Sequence, residues 1–301
     1  LSGDIGVIDD IADNSYHVIS IYSLEGSPTI NGFTISDGNA NGSTPHDRGG
    51  GLYILKSSPI ITNNRIMNNN AEYYGGGIYV KECESRFENG EISNNNAENY
   101  GGGIYVSYGS SKFNNVTFHN NSSDGGGGLY SDDFIISLKR VNFSNNTANY
   151  DGGGMIDNSH ESTLEEVNFY DNSARYGGGL KLGSNKSYLS NVNFSNNSAE
   201  DLGGGINSYG GELFIDDASF YNNIGGGNGG GISNVNGNPT LSNVTFSSNS
   251  VTNCGAGIYN VNGDINLTNA TFSYNTAGVC GGGMSNEGSV PDLTNTTFYG
   301  N

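Results

Sequence analysis

Positive charge is scarce and lopsided in this chain: 11 lysines and arginines stand against 30 aspartates and glutamates, and none follows Lys186. A formal net charge of −19 argues against nucleic acid or an anionic membrane as partner, because both are gripped through basic patches. It suits an extracellular or high-salt setting. No apolar run approaches the roughly 18 residues of a membrane-spanning helix. Leu1-Ser-Gly-Asp has neither the basic start nor the apolar stretch of a signal peptide, so a mature chain or a fragment is expected. Tryptophan is absent, and three cysteines are too few for a disulfide-dense scaffold. There is no HExxH, no paired CxxC, no phosphate loop and no nucleophile elbow. The four histidines, His17, His46, His119 and His160, fall in different columns of the repeat described next and are expected to stay apart.

What the chain has in excess is glycine, 49 of 301 residues, and the glycines are ordered. The phrase Gly75-Gly76-Gly77-Ile78-Tyr79 recurs in degenerate copies whose apolar residue falls at Leu52, Ile78, Ile104, Leu129, Met155, Leu180, Ile206, Ile232, Ile258 and Met284, 25 or 26 residues apart. Ile21-Tyr22 reads as an earlier copy, with Ser20 in place of the third glycine. A second column, Ile35, Ile66, Ile92, Phe118, Phe143, Phe169, Phe194, Phe220, Phe246, Phe272 and Phe298, keeps the same step. An apolar residue precedes each by five positions, and an asparagine follows each by three, from Asn69 to Asn301; only Gly38 breaks that rule.

A fixed period in this range marks a solenoid. The segments are too short and too rich in glycine, asparagine and β-branched residues for helices. Each turn therefore reads as three short strands joined by bends and paired in parallel with the turns above and below. The expected fold is all-β: a right-handed parallel β-helix, handed by the usual rule for parallel crossovers, of about eleven turns of 25–26 residues. Stacking at about 4.8 Å gives a rod on the order of 50 Å long. The apolar columns become interior stacks, and the asparagines become a ladder satisfying backbone groups in a bend. Residues 1–20 fit the period poorly and are expected to form an irregular leading segment before one domain, 21–301. The polar stretch from Asn41 to Asp47 reads as a loop inserted into the first full turn.

These paired motifs, GGGI or its variants with FxxN as in Phe118-His-Asn-Asn121, resemble the GGA[ILV]/FxxN repeat of the chlamydial polymorphic outer membrane proteins. The resemblance covers roughly residues 49–301. It implies a secreted or cell-surface β-helix with adhesive or structural duty. Pectate lyases share the broader fold, but nothing specific to their active sites is matched.

Stacking also sets the candidate sites. Arg65 with Glu91, Lys139 with Glu165 and Arg140 with Glu166 lie one turn apart, placed for pairs worth tenths of a kcal/mol. Tyr53, Tyr79, Tyr105 and Tyr130 form an outward column suited to sugar rings or simply to stabilising the sheet surface. The densest ionisable group is Asp132, Asp133, Asp157, His160 and Glu161, with Lys186 one turn on. Carboxylates on adjacent turns would stand about 5 Å apart, compatible with a retaining glycosidase pair or Ca²⁺ ligation, against the plainer reading of an acidic loop patch. Cys254 and Cys280 share a column and are expected to form a disulfide, implying an oxidising compartment; Cys83 has no columnar partner and is expected as a free or an intermolecular thiol. Asn115, Asn243, Asn269 and Asn295 begin sequons in one outward bend and are candidate glycosylation sites, whereas inward Asn121 should stay bare.

The function expected is a non-catalytic, extracellular or cell-surface structural or adhesin-like protein, with no cofactor unless Ca²⁺ and with a carbohydrate or host surface as partner. The alternative is a polysaccharide-active lyase or glycoside hydrolase. An ice-binding rod on Thr245, Thr271 and Thr297 lacks a paired threonine array. Neither end carries an amphipathic capping helix, so the expectation is a fragment, or a head-to-tail filament in which Leu1–Ser20 completes the turn begun by Phe298.

Overall fold

Each turn is shaped by where the backbone is made to bend. In the computed structural model, which describes residues 1–8, 10–183 and 186–301 (side chains of Asp133 and Phe134 excepted), one turn runs through four strands: Met155–Asn158, Glu161–Glu165, Asn168–Tyr170 and Ser173–Tyr176. We name them the glycine, leucine, phenylalanine and alanine strands. Glu166 and Asp171 each hold φ at 56°, and Gly152 at 58°, so three of the corners are left-handed. Glycine, asparagine and aspartate enter that region at least cost, and Asn68, Asn94, Asn120, Asn145, Asn196 and Asn222 occupy one such corner in other turns. The asparagine richness of the sequence is thus largely a corner requirement.

Strands pair in parallel from turn to turn, as in Leu129↔Met155↔Leu180↔Ile206 and Phe143↔Phe169↔Phe194. The right-handed parallel β-helix expected from the repeat is the fold. Three strands per turn was too few, however. The alanine strands stack as a separate ten-stranded sheet. Their signal was a small residue two positions after all but one of the ladder asparagines from Asn69 to Asn275, Val251 being the exception: Ala71, Ala97, Ala148, Ala174 and Ala199 are all buried there.

About nine turns of 25–26 residues lie between Leu52 and Met284, not eleven. The opening turn is longer, because Leu52 pairs with Ile19, two residues before the Ile21 expected from the period. At the start, Leu1 and Ser2 lie against the first turn: Leu1 nitrogen donates to Thr34 oxygen at 2.7 Å, and Ser2 bridges Ser36. A 3₁₀ turn, Ile11–Asp13, follows.

Inside, the phenylalanines from Phe118 to Phe298 stack with centroids 4.6–4.9 Å apart, matching the strand spacing. Beside them runs the asparagine ladder. Asn197 Nδ2 donates to Asn223 Oδ1 at 3.0 Å and to Phe169 oxygen at 2.9 Å, while its own Oδ1 accepts from the Asn172 amide and side chain. Every hydrogen-bonding atom of this buried amide is used. The glycine triplet serves two needs. Its first member holds a positive φ, 64° at Gly75, and a Cβ on its third, Gly77, would lie 2.6 Å from Gly103 oxygen.

Asn197→Ala should strand the groups above and below it at about 1–3 kcal/mol each, and Phe194→Ala should cost about 3–5 kcal/mol through an interior void. Exposed Thr245→Ala should cost under about 0.5 kcal/mol. Denaturant melts of the three variants check this ranking.

Candidate functional site

Among the described residues, the acidic group does not converge. Along the glycine strands side chains alternate, so Leu129, Ser131, Met155 and Asp157 turn inward while Tyr130, Asp132, Ile156 and Asn158 turn outward. Asp157 is fully buried opposite Ser131, and its Oδ1 accepts from the Ser159 amide and hydroxyl. Asp132 lies opposite Asn158 on the other face. Glu161 opposes Ile135, three residues or about 10 Å of strand beyond Asp132, and faces Lys186 on the next turn. His160 is exposed, and the side chain of Asp133 lies outside the described residues. Among the described residues, no group of three His, Cys, Asp or Glu side chains is placed to hold a metal ion. Of the described carboxylates, Asp157 points into the core and Asp132 and Glu161 stand about 10 Å apart along the strand, so these three do not form the expected close pair.

The tyrosine column is also corrected. Tyr53, Tyr79 and Tyr105 point away from the main core yet are only 4%, 3% and 9% exposed. A second row, Arg48, Tyr74 and Tyr100, occupies the position before each glycine triplet and folds over them. Tyr74 stacks on Tyr105 at 4.7 Å, Tyr100 packs on Tyr130 at 4.7 Å, and the Arg48 guanidinium sits 5.4 and 5.3 Å from the Tyr74 and Tyr79 rings. Burial pushes the Tyr53 and Tyr130 hydroxyls up to about 12, with Asp132 adding to the shift at Tyr130. These rings form a satellite core and are closed to a sugar.

Histidines that the repeat kept apart do meet. His46 lies on the loop inserted after Asn41, and its Nδ1 is 3.1 Å from His17 Nε2. His17 Nδ1 donates to Gly49 oxygen at 3.0 Å, which leaves Nε2 as the acceptor for His46. An insertion escapes the period, so columns could not show this contact.

Of the three expected charge pairs, two form: Arg65–Glu91 at 3.1 Å and Lys139–Glu165 at 2.6 Å. Arg140 instead donates to Asn114 Oδ1 one turn back. Cys254 and Cys280 are joined by a disulfide with Cα atoms 4.6 Å apart. Cys83 is a buried free thiol bonded to Lys81 oxygen, which removes the intermolecular option. Asn115, Asn243, Asn269 and Asn295 are exposed at a left-handed corner and form amide ladders with their neighbours, as Asn269 does with Asn243.

Burial holds the His17 pKa below its usual 6.5, the His46 charge adding to the effect and the Gly49 bond opposing it. A depressed basic group binds more protons unfolded than folded. Stability from neutral His17 is therefore full above about pH 6.5 and lost as pH falls below it. The melting temperature should drop more between about pH 7 and 5.5 in the wild type than in His17→Asn, which keeps the bond to Gly49; equal drops would contradict the assignment.

Comparison with known families agrees with this architecture. The family described as right handed beta helix region matches residues 2–137 and 76–246. The Chlamydia polymorphic membrane protein repeat matches residues 243–261, the stretch holding Phe246, Asn249 and the Gly255-Ala256-Gly257-Ile258 variant. No curated protein and no solved structure matches the chain. Spanning most of the chain, the first match shows that this protein belongs to the right-handed β-helix family.

Proposed function

We propose that this chain is a cell-surface β-helix rod with a structural or adhesive, non-catalytic role. The observation that carries the reading is the periodic outer surface. Outward columns repeat the same chemistry turn after turn, as in Asn142–Asn168–Asn193, whose amides bond in series at 2.9 Å. Such a surface offers many equivalent contacts along its length, which is what adhesion or lateral packing uses. Its clefts are open shelves; one of about 270 Å³ is lined by Asn115, Arg140, Asn142, Glu166, Asn168, Asn191 and Asn193. The match to a polymorphic membrane protein repeat supports the cell surface, and the Cys254–Cys280 bridge suits an oxidising compartment. The inward turn of Asp157 weighs against hydrolysis or elimination at the acidic group.

Protease treatment of intact producing cells should release rod peptides that include Cys254 linked to Cys280. Retention of the whole chain under conditions that strip other surface proteins would reject the location. Purified protein should yield neither new reducing ends nor unsaturated products from acidic glycans; either product would overturn the non-catalytic role. Reduction of the disulfide should destabilise the fold by about 2–4 kcal/mol, read from melts with and without reductant.

A further inference from the structure

The leucine strands present an outer face made of three side-chain columns. The central one runs Thr163↔Tyr188↔Phe214↔Thr240. Tyr188 and Phe214 stack with centroids 5.2 Å apart at 14°, and Tyr188 is 37% exposed. Thr163 and Thr240, smaller than the rings, flank the pair along the rod axis. Behind them, Leu189 and Ile215 are buried and fix the strands in place. Unlike the tyrosines of the satellite core, this pair has no second aromatic row folded over it among the described residues; the Lys186 side chain lies over both rings.

Both flanking columns are polar. On one side Glu161, Lys186 and Glu212 succeed one another, and Lys186 Nζ lies 3.2 Å from Glu212 and 5.5 and 5.7 Å from the two rings. On the other side are Ser190, Asp216 and Ser242. Asp216 Oδ1 accepts from Ser242 Oγ at 2.5 Å and from Asn243 Nδ2 at 2.9 Å, which holds the carboxylate beside the aromatic strip. Two residues along a strand separate each flank from the centre, so the flanks stand about 13 Å apart. A shallow cleft of about 230 Å³ lies between Thr163, Tyr188, Ser190, Phe214, Asp216 and Thr240.

We propose that this face is a binding site for a neutral glycan, with pyranose rings lying against Tyr188 and Phe214 and their hydroxyls bonded to the flanking Asp216, Ser190 and Ser242. A sugar ring has an apolar C–H face and a rim of hydroxyls, and the site offers an apolar strip bordered by acceptors and hydroxyls at one-turn spacing. The carboxylates of Glu161 and Asp216 repel an acidic polysaccharide, and Lys186 is already neutralised by Glu212. The proposal deepens the adhesive reading by naming a ligand class. Its failure leaves the location untouched, because protease release from intact cells reads location alone.

Affinity gel electrophoresis with mixed-linkage β-glucan, galactomannan and arabinoxylan, and with pectate as the acidic comparison, tests it. At least one neutral polysaccharide should retard the protein more than pectate does. Tyr188→Ala should weaken that retardation about tenfold, Tyr188→Phe should preserve it, and Tyr221→Ala, an exposed tyrosine on the phenylalanine strand, should leave it unchanged. Asp216→Ala, at an exposed side chain, is the second variant should Tyr188→Ala fail to fold, and should weaken binding several-fold. Retardation by pectate alone, by no neutral polysaccharide, or equally in Tyr188→Ala and wild type would overturn the proposal.

Discussion

Parallel stacking at one strand spacing requires every side chain to coexist with its own copy directly above and below. That constraint selects the residues. Phenylalanine satisfies it by face-to-face stacking, as Phe194 does on Phe169 and Phe220. Asparagine satisfies it by carrying donor and acceptor on one planar group, so that a column of them is a continuous chain of bonds. Glycine satisfies it by vanishing where backbones touch. Charged residues satisfy it poorly, since like charges one turn apart repel. Most are accordingly placed outward, buried Asp157 being an exception, and in one column they alternate in sign, Glu161–Lys186–Glu212.

The same constraint explains what the sequence disclosed and what it did not. Columns of large or chemically distinctive residues were legible: the glycine triplets, the phenylalanines, the ladder from Asn69, and the paired cysteines. The alanine strand was not, because Ala71 and its equivalents are small and share their column with Ser123 and Gly225. Register at the first turn was misjudged by two residues. Ile19 enters the stack without a glycine triplet before it, and Ile21 offered a better local match to the phrase.

Site chemistry was less legible than fold, for a geometric reason. Period tells which residues share a column, but not whether that column is covered. Tyr79 and Tyr188 both sit in outward columns; Arg48 closes over the first and leaves it 3% exposed, whereas Tyr188, with the Lys186 side chain over its ring, stays 37% exposed. Period also fails for insertions, which is why the His17–His46 contact was invisible. In a protein whose regularity is structural, departures from the repeat are the places to seek function. The stacked pair Tyr188 and Phe214 is one such departure, in a column that otherwise carries polar residues such as Lys112, Ser137, Thr163, Thr240 and Asn266.

The central claim is that register between identical turns, more than any single contact, holds this molecule together. Excision of one whole turn, residues 203–228, joins Leu202 to Gly229 and keeps every column in phase, because Leu202 and Asn228 occupy the same position. Excision of half a turn, residues 203–215, leaves every following column about half a turn out of phase with the turns before it, so that unlike residues stack. The account predicts a cooperative thermal transition close to that of the parent for the first deletion and loss of the folded state for the second. Equal stability of the two, or unfolding of both, would contradict it.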